Sequence, residues 1–212
     1  RSAFNTPSDQ KYLICNAEES DPGAFMDRTL MEGNPYLLLE GISIAAYAIG
    51  SNRAYLYIRS EYRDAIDRIT RAITELRTMG LLGDNILDSG YNLQISLRKG
   101  PGAFVCGEET ALIASLEGRR GMPSSKPPYP AQSGYLGRPT VVNNVETLAN
   151  LPMILKRGPD WFRGIGLPDC SGTKIFSISG RARISGLVEV PMGTPFNTIV
   201  NEIIGGVKKG RT

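Results

Sequence analysis

The sequence predicts an α/β fold, in which helices cover the faces of a sheet. Residues 12–15 and 54–58 are short apolar runs of the kind that form buried strands. Residues 35–49 form an apolar stretch that begins with proline and stops at Gly50, as a buried helix does. Residues 61–79 repeat apolar side chains at helical spacing. Strands that alternate with helices in this way predict a layered α/β domain.

The same alternation continues along the chain. Apolar and polar residues alternate over 91–98, which predicts a strand with one buried face. A glycine-containing turn at 100–102 then leads to a helix that begins near Gly107. In folds of this class ligands bind beyond the carboxyl ends of the strands, so the polar loops at those ends are the places to look for a site.

A second domain is predicted near the end of the chain. Glycine and proline become frequent after Phe162, and this marks a linker. Strands are expected at 174–179 and 187–190, followed by a helical pattern between Phe196 and Ile204. The predicted limits are 1–168 for the first domain and 173–212 for the second. Two strands and one helix are too few to stand alone, so we expect the polypeptide to be an internal fragment cut inside this domain.

Composition excludes several classes of function. Of the 212 residues, 41% are hydrophobic and 21% are charged, which is typical of a globular protein. A net charge of +3 is too small to indicate binding to nucleic acid or anionic lipid. No apolar stretch approaches a membrane span, and three scattered cysteines suit a reducing compartment, so a soluble, cytoplasmic protein without direct membrane insertion is expected.

Histidine is absent from the sequence. Catalytic pairs of serine or cysteine with histidine are therefore impossible, and the usual zinc ligand sets are depleted. We expect no metal site and no catalytic side chain in this chain. Any catalysis must use carboxylates, lysine or a cofactor.

The first candidate for chemistry is the polar segment after the first strand, which contains Asn16, Glu18, Glu19, Ser20 and Asp21. Carboxylates this close repel one another unless hydroxyl or amide groups satisfy them. The vicinal hydroxyls of a sugar or a ribityl chain are suitable partners. The alternative is an acidic loop that is merely solvated.

The second candidate is the glycine-rich segment from Gly100 to Thr110. Its glycines would let the backbone approach a planar ring or a phosphate, and the helix start offers amide donors. Its spacing matches neither standard phosphate loop, so a structural turn before a capped helix is the alternative. Without a histidine to activate it, Cys106 is interpreted as a packed structural thiol.

Two further segments could contribute. Asn143 and Asn144 precede a predicted helix, where one side chain can cap the helix while the other faces a ligand, although capping alone would explain both. Lys126 lies on a proline-rich loop beside Tyr129, which places a cation near an aromatic ring. Taken alone, that segment is simply a polar loop.

Together, five segments carry a resemblance to a known family. They are residues 12–23 (YLICNAEESDPG), 106–112 (CGEETAL), 115–120 (SLEGRR), 126–130 (KPPYP) and 142–147 (VNNVET). In this order they closely resemble the NADH-binding flavoprotein subunit of respiratory complex I. The diaphorase subunits of NAD-linked hydrogenases and formate dehydrogenases are similar. The likeness extends over nearly the whole chain.

The resemblance implies a Rossmann-like FMN-binding domain followed by a partial ubiquitin-like β-grasp domain of the soluble-ligand-binding type. Its cofactors are FMN and NAD. The residues implied to bind FMN are Asn16, Glu18, Glu19, Ser20, Gly107, Glu108, Asn143, Asn144 and Thr147. Those implied to face the dinucleotide are Asp21, Phe104, Glu109, Lys126 and Tyr129. The aromatic residues would stack, the acids would bind ribose hydroxyls or the carboxamide, and the lysine would bind phosphate.

Departures from the family pattern point to one branch of it. Glu18 stands where aspartate is common, Phe104 where complex I members carry tyrosine, and Asp21 where they often have glutamate. These three departures favour the hydrogenase and formate dehydrogenase branch of the family. The family's glycine-rich phosphate loop is expected before Arg1, and the cysteines of its 4Fe-4S cluster after Thr212.

The function implied is hydride transfer from NADH to FMN, after which electrons pass to iron–sulfur clusters outside this fragment. The implied partners are the iron–sulfur subunits of a multisubunit redox complex, through which the chain would be peripheral to a membrane. A carboxylate near the adenosine ribose disfavours a 2′-phosphate, so we expect NADH over NADPH. The alternative is a non-catalytic ligand-binding or scaffolding module of a larger complex.

Overall fold

The computed structural model describes residues 1–208, which form two compact units. The first comprises residues 1–20 and 27–152, and the second comprises residues 21–26 and the chain from Met153 onward. The domain limits expected from sequence, 1–168 and 173–212, remain a prediction, and residues 209–212 of that second domain lie outside the described residues.

The first unit is built on a four-stranded parallel sheet. Its strands are β1 (Tyr12–Ala17), β2 (Arg53–Arg59), β3 (Gln94–Gly100) and β4 (Thr140–Asn144). Their order across the sheet is β3-β2-β1-β4, and every neighbouring pair is parallel. The chain first builds outward from β1 on one side and then returns to place β4 on its other side. The switch point of the topology therefore lies between β1 and β4.

Helices precede, connect and follow these strands. They are α1 (Ser2–Asn5), α2 (Met26–Gly33), α3 (Pro35–Ile49), α4 (Arg63–Thr78), α5 (Glu109–Leu116) and α6 (Val145–Arg157), of which α6 continues into the second unit. Single 3₁₀ turns occur at Ile86–Asp88, Phe104–Gly107 and Tyr135–Gly137. Among the described residues no helix is both long enough and apolar enough to cross a membrane.

Each face of the sheet has its own hydrophobic core because side chains alternate along a strand. Leu13, Cys15 and Ala17 of β1 pack with α3 and α4 in the larger core. Tyr12 and Ile14 point the other way, into a smaller core that contains residues of α5. Asn16 follows the Tyr12–Ile14 alternation, so its side chain emerges on the α5 side of the sheet.

Helix α3 shows how the sequence defines an element. The Asn34 side chain accepts a hydrogen bond from the Leu37 amide (3.1 Å), Pro35 opens the first turn, and Gly50 ends the helix in the left-handed region (φ 72°). At Gly41 a Cβ atom would lie 2.0 Å from the Leu148 carbonyl oxygen of α6. Only glycine permits this approach of the two backbones.

The second unit contains two small antiparallel sheets. These pair β5 (Gly166–Leu167) with β6 (Cys170–Ser171), and β7 (Thr173–Ile178) with β8 (Gly186–Pro191). A short helix, α7 (Pro159–Arg163), precedes them and a π-helical turn, Thr198–Ile203, follows. The two strands predicted at 174–179 and 187–190 are therefore confirmed, and all four predicted ends lie one residue from those of β7 and β8.

The structure differs from the sequence-based expectation at two elements. The strand predicted at 91–98 starts three residues later, because Leu93 instead pairs with Gly83 in an isolated bridge. Helix α2 was not predicted at all. The Glu19 carboxylate accepts hydrogen bonds from the amides of Asp27 (3.0 Å) and Arg28 (3.3 Å), which belong to the first turn of α2. The side chain that caps α2 therefore lies several residues upstream of the helix. A search for adjacent capping residues cannot find such a start.

Candidate active site

Candidate residues of the first unit lie at the carboxyl edge of the parallel sheet, beside the switch point between β1 and β4. In the register of these strands, Asn16 lies opposite Asn144, and Cys15 lies opposite Asn143. The ends of the two strands therefore place the asparagines of both segments side by side. A crevice at such a point is where open α/β sheets bind their ligands.

Asn16 joins two of the candidate segments. Its Nδ2 donates a hydrogen bond to the carbonyl oxygen of Gly107 (3.0 Å), and its Oδ1 accepts one from the amide of Glu18 (3.0 Å). One side chain thus fixes both the loop after β1 and the turn that precedes α5. The segments at Asn16, Gly107 and Asn143 come together at one edge, as predicted from the fold class.

Glu18 is a buried charge at this edge. Its side chain is fully buried, and its Oε1 accepts a hydrogen bond from the Ser20 hydroxyl (2.9 Å) and lies 3.6 Å from Nε of Arg59. Its Oε2 is also buried and has no hydrogen-bond partner within residues 1–208. Burial raises the pKa of this carboxyl, and the Ser20 and Arg59 contacts only partly offset it.

Glu19 is held almost entirely by the protein. Its carboxylate caps α2, as described above, and also accepts a hydrogen bond from the Tyr62 hydroxyl (3.2 Å). Its backbone carbonyl accepts bonds from the Tyr62 hydroxyl (3.2 Å) and from Nη1 of Arg59 (2.6 Å). Burial, with the Glu19 charge second, raises the pKa of Tyr62 to about 12. Glu19 thereby fixes the loop next to Glu18.

The start of α5 holds the second pair of acids. Glu108 is its N-cap, and its carboxylate accepts hydrogen bonds from the Thr110 amide (2.8 Å), the Ala111 amide (3.0 Å) and the Thr110 hydroxyl. Burial favours a raised pKa, but these bonds and Lys126 outweigh it and lower the pKa of Glu108. Thr110 also accepts a hydrogen bond from the Ser124 amide (2.9 Å), which ties the following loop to the helix.

That loop brings Lys126 back to the acids. Its Nζ lies 3.2 Å from Oε1 of Glu108 and forms a close ion pair with Glu109. The Glu109 contact raises the pKa of Lys126. Phe104 and Tyr129 are 73% and 56% exposed, so two aromatic faces are open to a planar ligand on the segments that flank this charge cluster.

The asparagines after β4 have different surroundings. The Asn144 Oδ1 accepts a hydrogen bond from the Glu146 amide (2.9 Å) at the start of α6, and its Nδ2 donates to Asp27 (2.6 Å). Asn143 is half-buried and makes no side-chain hydrogen bond within the part of the chain that is described. Thr147 is exposed on the first turn of α6. Asn144 therefore caps, which leaves Asn143 and Thr147 available to a ligand.

Asp21 is the one candidate in the second unit, where it is exposed and its carbonyl accepts a hydrogen bond from the Ala24 amide (3.0 Å). The structure also places three residues at the carboxyl edge of the sheet that the sequence did not single out: Arg59, Tyr62 and Asp27. The sequence contained one usable signal for them. Arg59 follows the predicted strand 54–58 directly, and any residue there must lie at the carboxyl edge.

Other features of the chain contribute less. Cys106 is buried against Gly121, consistent with a packed thiol. Two surface grooves, one between α4 and β3 and one where α2, α3 and α4 meet, contain none of the candidate residues. Within the described chain, no cluster of three or more histidine, cysteine or acidic side chains could hold a metal ion.

Comparison with known proteins assigns the chain to a family. Residues 2–153 match the family model described as the Nuo51 FMN-binding domain. The chain belongs to this family. The matched range contains the complete parallel sheet and every candidate residue.

Several relatives in this family are about half identical to the chain. The NADP-reducing hydrogenase subunit HndC of Solidesulfovibrio fructosivorans is 52% identical over 99% of the chain and 42% of its own length. The corresponding NADH-quinone oxidoreductase subunits of Aquifex aeolicus and Escherichia coli are 52% and 48% identical, over 92% and 94% of the chain. Those alignments cover 46% and 45% of the relatives, so the chain spans less than half of their length.

A solved structure shares the fold. The crystal structure of an NAD⁺-reducing [NiFe]-hydrogenase in its H₂-reduced state aligns with a TM-score of 0.87 and 41% sequence identity. The alignment covers 94% of this chain and 34% of the hydrogenase chain. The Rossmann-like architecture expected from the resemblance is thereby confirmed for the parallel sheet and its helices.

The residues present fit the cofactor in the family's description. The ribityl chain of FMN carries hydroxyl donors, and the edge offers a buried carboxylate oxygen, Oε2 of Glu18, that lacks a donor. No atom lies within 4 Å of the position a Cβ would take at Gly107, so that backbone is open to close approach. Asn143 adds an unengaged amide.

Proposed function

We propose that this chain is the part of an NADH-oxidising flavoprotein that binds FMN and NADH. The observation that carries the proposal is the hydrogen bond from Asn16 to Gly107, together with the pairing of Asn16 with Asn144. These contacts join three segments, distant in sequence, at the one edge where this fold class binds ligands. Membership of the Nuo51 FMN-binding family supports FMN as that ligand.

Of the residues assigned to FMN, some would contact the cofactor directly and others would hold the surrounding backbone in place. Glu18 and Asn143 supply the acceptor and the amide that are still free, and Thr147 supplies a hydroxyl. Asn16, Glu19, Glu108 and Asn144 already have protein partners, so their contribution is to fix the backbone of their segments around the cofactor. Ser20 orients the Glu18 carboxylate, and Gly107 lets the backbone approach.

A second group of residues would face the dinucleotide. Phe104 and Tyr129 would stack on its rings, because both aromatic faces are exposed. Glu109 would accept hydrogen bonds from hydroxyl or carboxamide groups, and Lys126 would pair with a phosphate. Since Lys126 is held by Glu108 and Glu109 in this structure, it would exchange those partners when a phosphate arrives.

When bound, FMN supplies the redox chemistry by accepting a hydride and passing electrons onward one at a time. The chain itself would provide no acid or base to the reaction: its part would be to hold the flavin and the nicotinamide close together and to exclude water. We further propose that the complete protein passes electrons to its own 4Fe-4S cluster and to iron–sulfur subunits of a larger complex. Related chains are named as subunits of NADH-quinone oxidoreductase and of hydrogenases.

The proposal is tested on the full-length protein that contains this segment. We expect the purified protein to bind added FMN, and NADH to bleach the visible absorbance of the bound flavin and drive reduction of ferricyanide. Asn16→Ala should weaken FMN binding by about tenfold or more, because it removes the two hydrogen bonds that fix the segments at Glu18 and Gly107.

The control is Asn52→Ala. Asn52 precedes β2 at the opposite edge of the sheet, where it accepts a hydrogen bond from Gln10 (2.8 Å), so its loss should leave FMN binding unchanged. If the wild-type protein stays colourless with FMN and does not reduce ferricyanide, the chain is instead a non-catalytic ligand-binding or scaffolding module.

We propose NADH rather than NADPH as the donor. Glu109, which the resemblance places toward the dinucleotide, would repel a 2′-phosphate if it lies near the adenosine ribose. The rates of flavin reduction by the two nucleotides should differ by about tenfold or more in favour of NADH. Equal rates, or a preference for NADPH of the kind that the name of HndC indicates for that relative, would refute the assignment.

A further inference from the structure

We propose that Arg59 is a positioning residue of the cofactor site, which holds the segment after β1 in the arrangement that FMN requires. The inference rests on the proposed function, because it concerns the same edge of the sheet. Arg59 is not itself expected to contact the flavin. It acts through Glu18 and Glu19.

Arg59 contacts both glutamates at once. It is the last residue of β2, so its side chain starts at the carboxyl edge next to the loop that leaves β1. Its Nη1 donates a 2.6 Å hydrogen bond to the Glu19 carbonyl, while its Nε lies 3.6 Å from Oε1 of Glu18. The guanidinium also lies 5.5 Å from the centre of the Tyr62 ring, and Tyr62 holds the Glu19 carboxylate.

The charge of Arg59 matters because Glu18 is fully buried. A buried carboxylate is costly unless a cation and hydrogen-bond donors compensate it. Of the groups described around Glu18, Arg59 is the cation and the Ser20 hydroxyl is the donor, whereas Glu61 adds a like charge. The Tyr57 hydroxyl also interacts with this charge, but it is neutral over the pH range in question because burial raises its own pKa to about 12. Without Arg59, the Glu18 carboxylate would protonate at higher pH or turn outward.

Arg59 also couples this loop to the glycine turn after β3. Its Nε is 3.3 Å from Oε2 of Glu61, and Oε1 of Glu61 lies 2.8 Å from the position that a Cβ would take at Gly102. Gly102 has φ 73°, so both its conformation and the adjacent carboxylate demand glycine there. The chain Glu18–Arg59–Glu61–Gly102 thus connects the loops that follow β1 and β3.

The geometry requires a guanidinium rather than any cation. Nη1 donates to the Glu19 carbonyl and Nε donates to the Glu61 carboxylate (3.3 Å), while the charge stays 3.6 Å from Glu18. The single ammonium of lysine cannot reproduce this geometry. Lysine at position 59 would keep the charge and lose part of the geometry. This difference separates the electrostatic effect of Arg59 from a contribution to packing alone.

The test uses the full-length protein and measures the dissociation constant of FMN as a function of pH. Arg59→Gln should weaken FMN binding by about tenfold or more at pH 7. The affinity of the wild type should fall as pH drops and Glu18 becomes protonated. In Arg59→Gln this fall should occur at higher pH, because Glu18 has lost its counter-charge.

Three further variants complete the design. Arg59→Lys should keep the fall at the wild-type pH and recover at least about threefold of the lost affinity. The matched control is Arg98→Gln, because Arg98 also lies over a tyrosine ring (5.6 Å from the centre of Tyr55) and forms no salt bridge among the described residues. It should bind FMN as the wild type does. When Glu18→Gln is already present, adding Arg59→Gln should cost less than about threefold, because no buried charge is left uncompensated.

The outcomes separate two failures. If the wild type binds FMN and Arg59→Gln binds it equally well at every pH, Arg59 has no positioning role. Equal losses in Arg59→Gln and Arg59→Lys, with the pH dependence unchanged, would show that Arg59 only supports packing, which also overturns the proposal. If the wild type itself does not bind FMN, the proposed function fails, and this inference fails with it.

Discussion

The chain contains two adjacent glutamate pairs near the same edge of its sheet, and they behave in opposite ways. Glu18 and Glu19 follow β1, and the Glu18 side chain is fully buried. Glu108 and Glu109 start α5, and their side chains are 37% and 35% exposed. The pKa of Glu18 is raised by burial, whereas the pKa of Glu108 is lowered by hydrogen bonds from the helix start and by Lys126.

The difference shows that burial and donors, not residue type, decide what an acidic pair does. The first pair lies between a strand and a helix that it caps from a distance, so one guanidinium must serve several acceptors. The second pair lies at a helix N-terminus, where amide donors and an ammonium already favour the ionised form. The first pair therefore suits a ligand that donates hydrogen bonds. The second pair can release Lys126 when a phosphate binds that lysine.

Glu19→Ala should have the largest effect on stability. It removes the carboxylate that accepts from the amides of Asp27 and Arg28 and from the Tyr62 hydroxyl, so buried donors are left unpaired. We expect the free energy of unfolding to fall by about 2–3 kcal/mol. Urea denaturation measures it, with the exposed Glu40→Ala in α3 as control. A loss no larger than that of Glu40→Ala would contradict the capping role of Glu19.

Glu18→Gln should stabilise the cofactor-free protein at neutral pH. Because the folded-state pKa of Glu18 is raised, its favourable contribution is present at low pH and is lost as pH rises through that pKa. Removing the charge should therefore raise the free energy of unfolding at pH 7 by about 1 kcal/mol. This gain in the free energy of unfolding should vanish in denaturation measured at about pH 3, below the ordinary pKa of glutamate. A loss of stability at pH 7 would show that Glu18 is not desolvated.

Glu108→Ala should act in the opposite direction. A lowered folded-state pKa contributes stability above the ordinary pKa of glutamate, and this contribution is lost as pH falls through the lowered value. The substitution also removes the N-cap of α5, so we expect a loss of about 0.5–1 kcal/mol at pH 7. The loss should shrink in acid. If Glu108→Ala and Glu18→Gln changed stability in the same direction, the contrast between the two pairs would be refuted.

Lys126→Gln should have the smallest effect on stability. Its ion pairs with Glu108 and Glu109 are solvent-exposed, and such pairs contribute little to folding. We expect no resolvable shift of the urea midpoint, but an increase of about threefold or more in the KM for NADH at unchanged FMN affinity. Should the substitution destabilise the fold as much as Glu108→Ala, Lys126 would be a structural residue and not a group available to phosphate.

The sequence predicted the fold well where a pattern is local. The apolar stretch 35–49, which begins with proline and is followed by Gly50, predicted α3 with its observed bounds, and apolar runs located β1 and β2. Elements defined by distant contacts were harder. Helix α2 depends on Glu19, and the start of β3 depends on the bridge between Gly83 and Leu93, neither of which a local window contains.

The position of the candidate site could also be predicted in outline from the sequence. Parallel strands end at one edge, so the segments at Asn16, Gly107 and Asn143 could be expected to meet once the strands were placed. Which side chains remain free could not be read from the sequence. Asn144 and Glu19 are occupied as caps, whereas Asn143 and one oxygen of Glu18 are not, and that division follows from three-dimensional contacts. Each residue's role toward FMN or NADH stays a prediction.

A structure of the full-length protein with FMN bound would test the central claim most directly, namely that the three segments embrace the flavin. The account predicts that the ribityl chain and the isoalloxazine ring lie at the carboxyl edge between β1 and β4. Hydrogen bonds from the cofactor should then reach Glu18 and Asn143, and its ring should lie close to Gly107. Density for FMN elsewhere on the protein, with this edge left unchanged, would contradict the account.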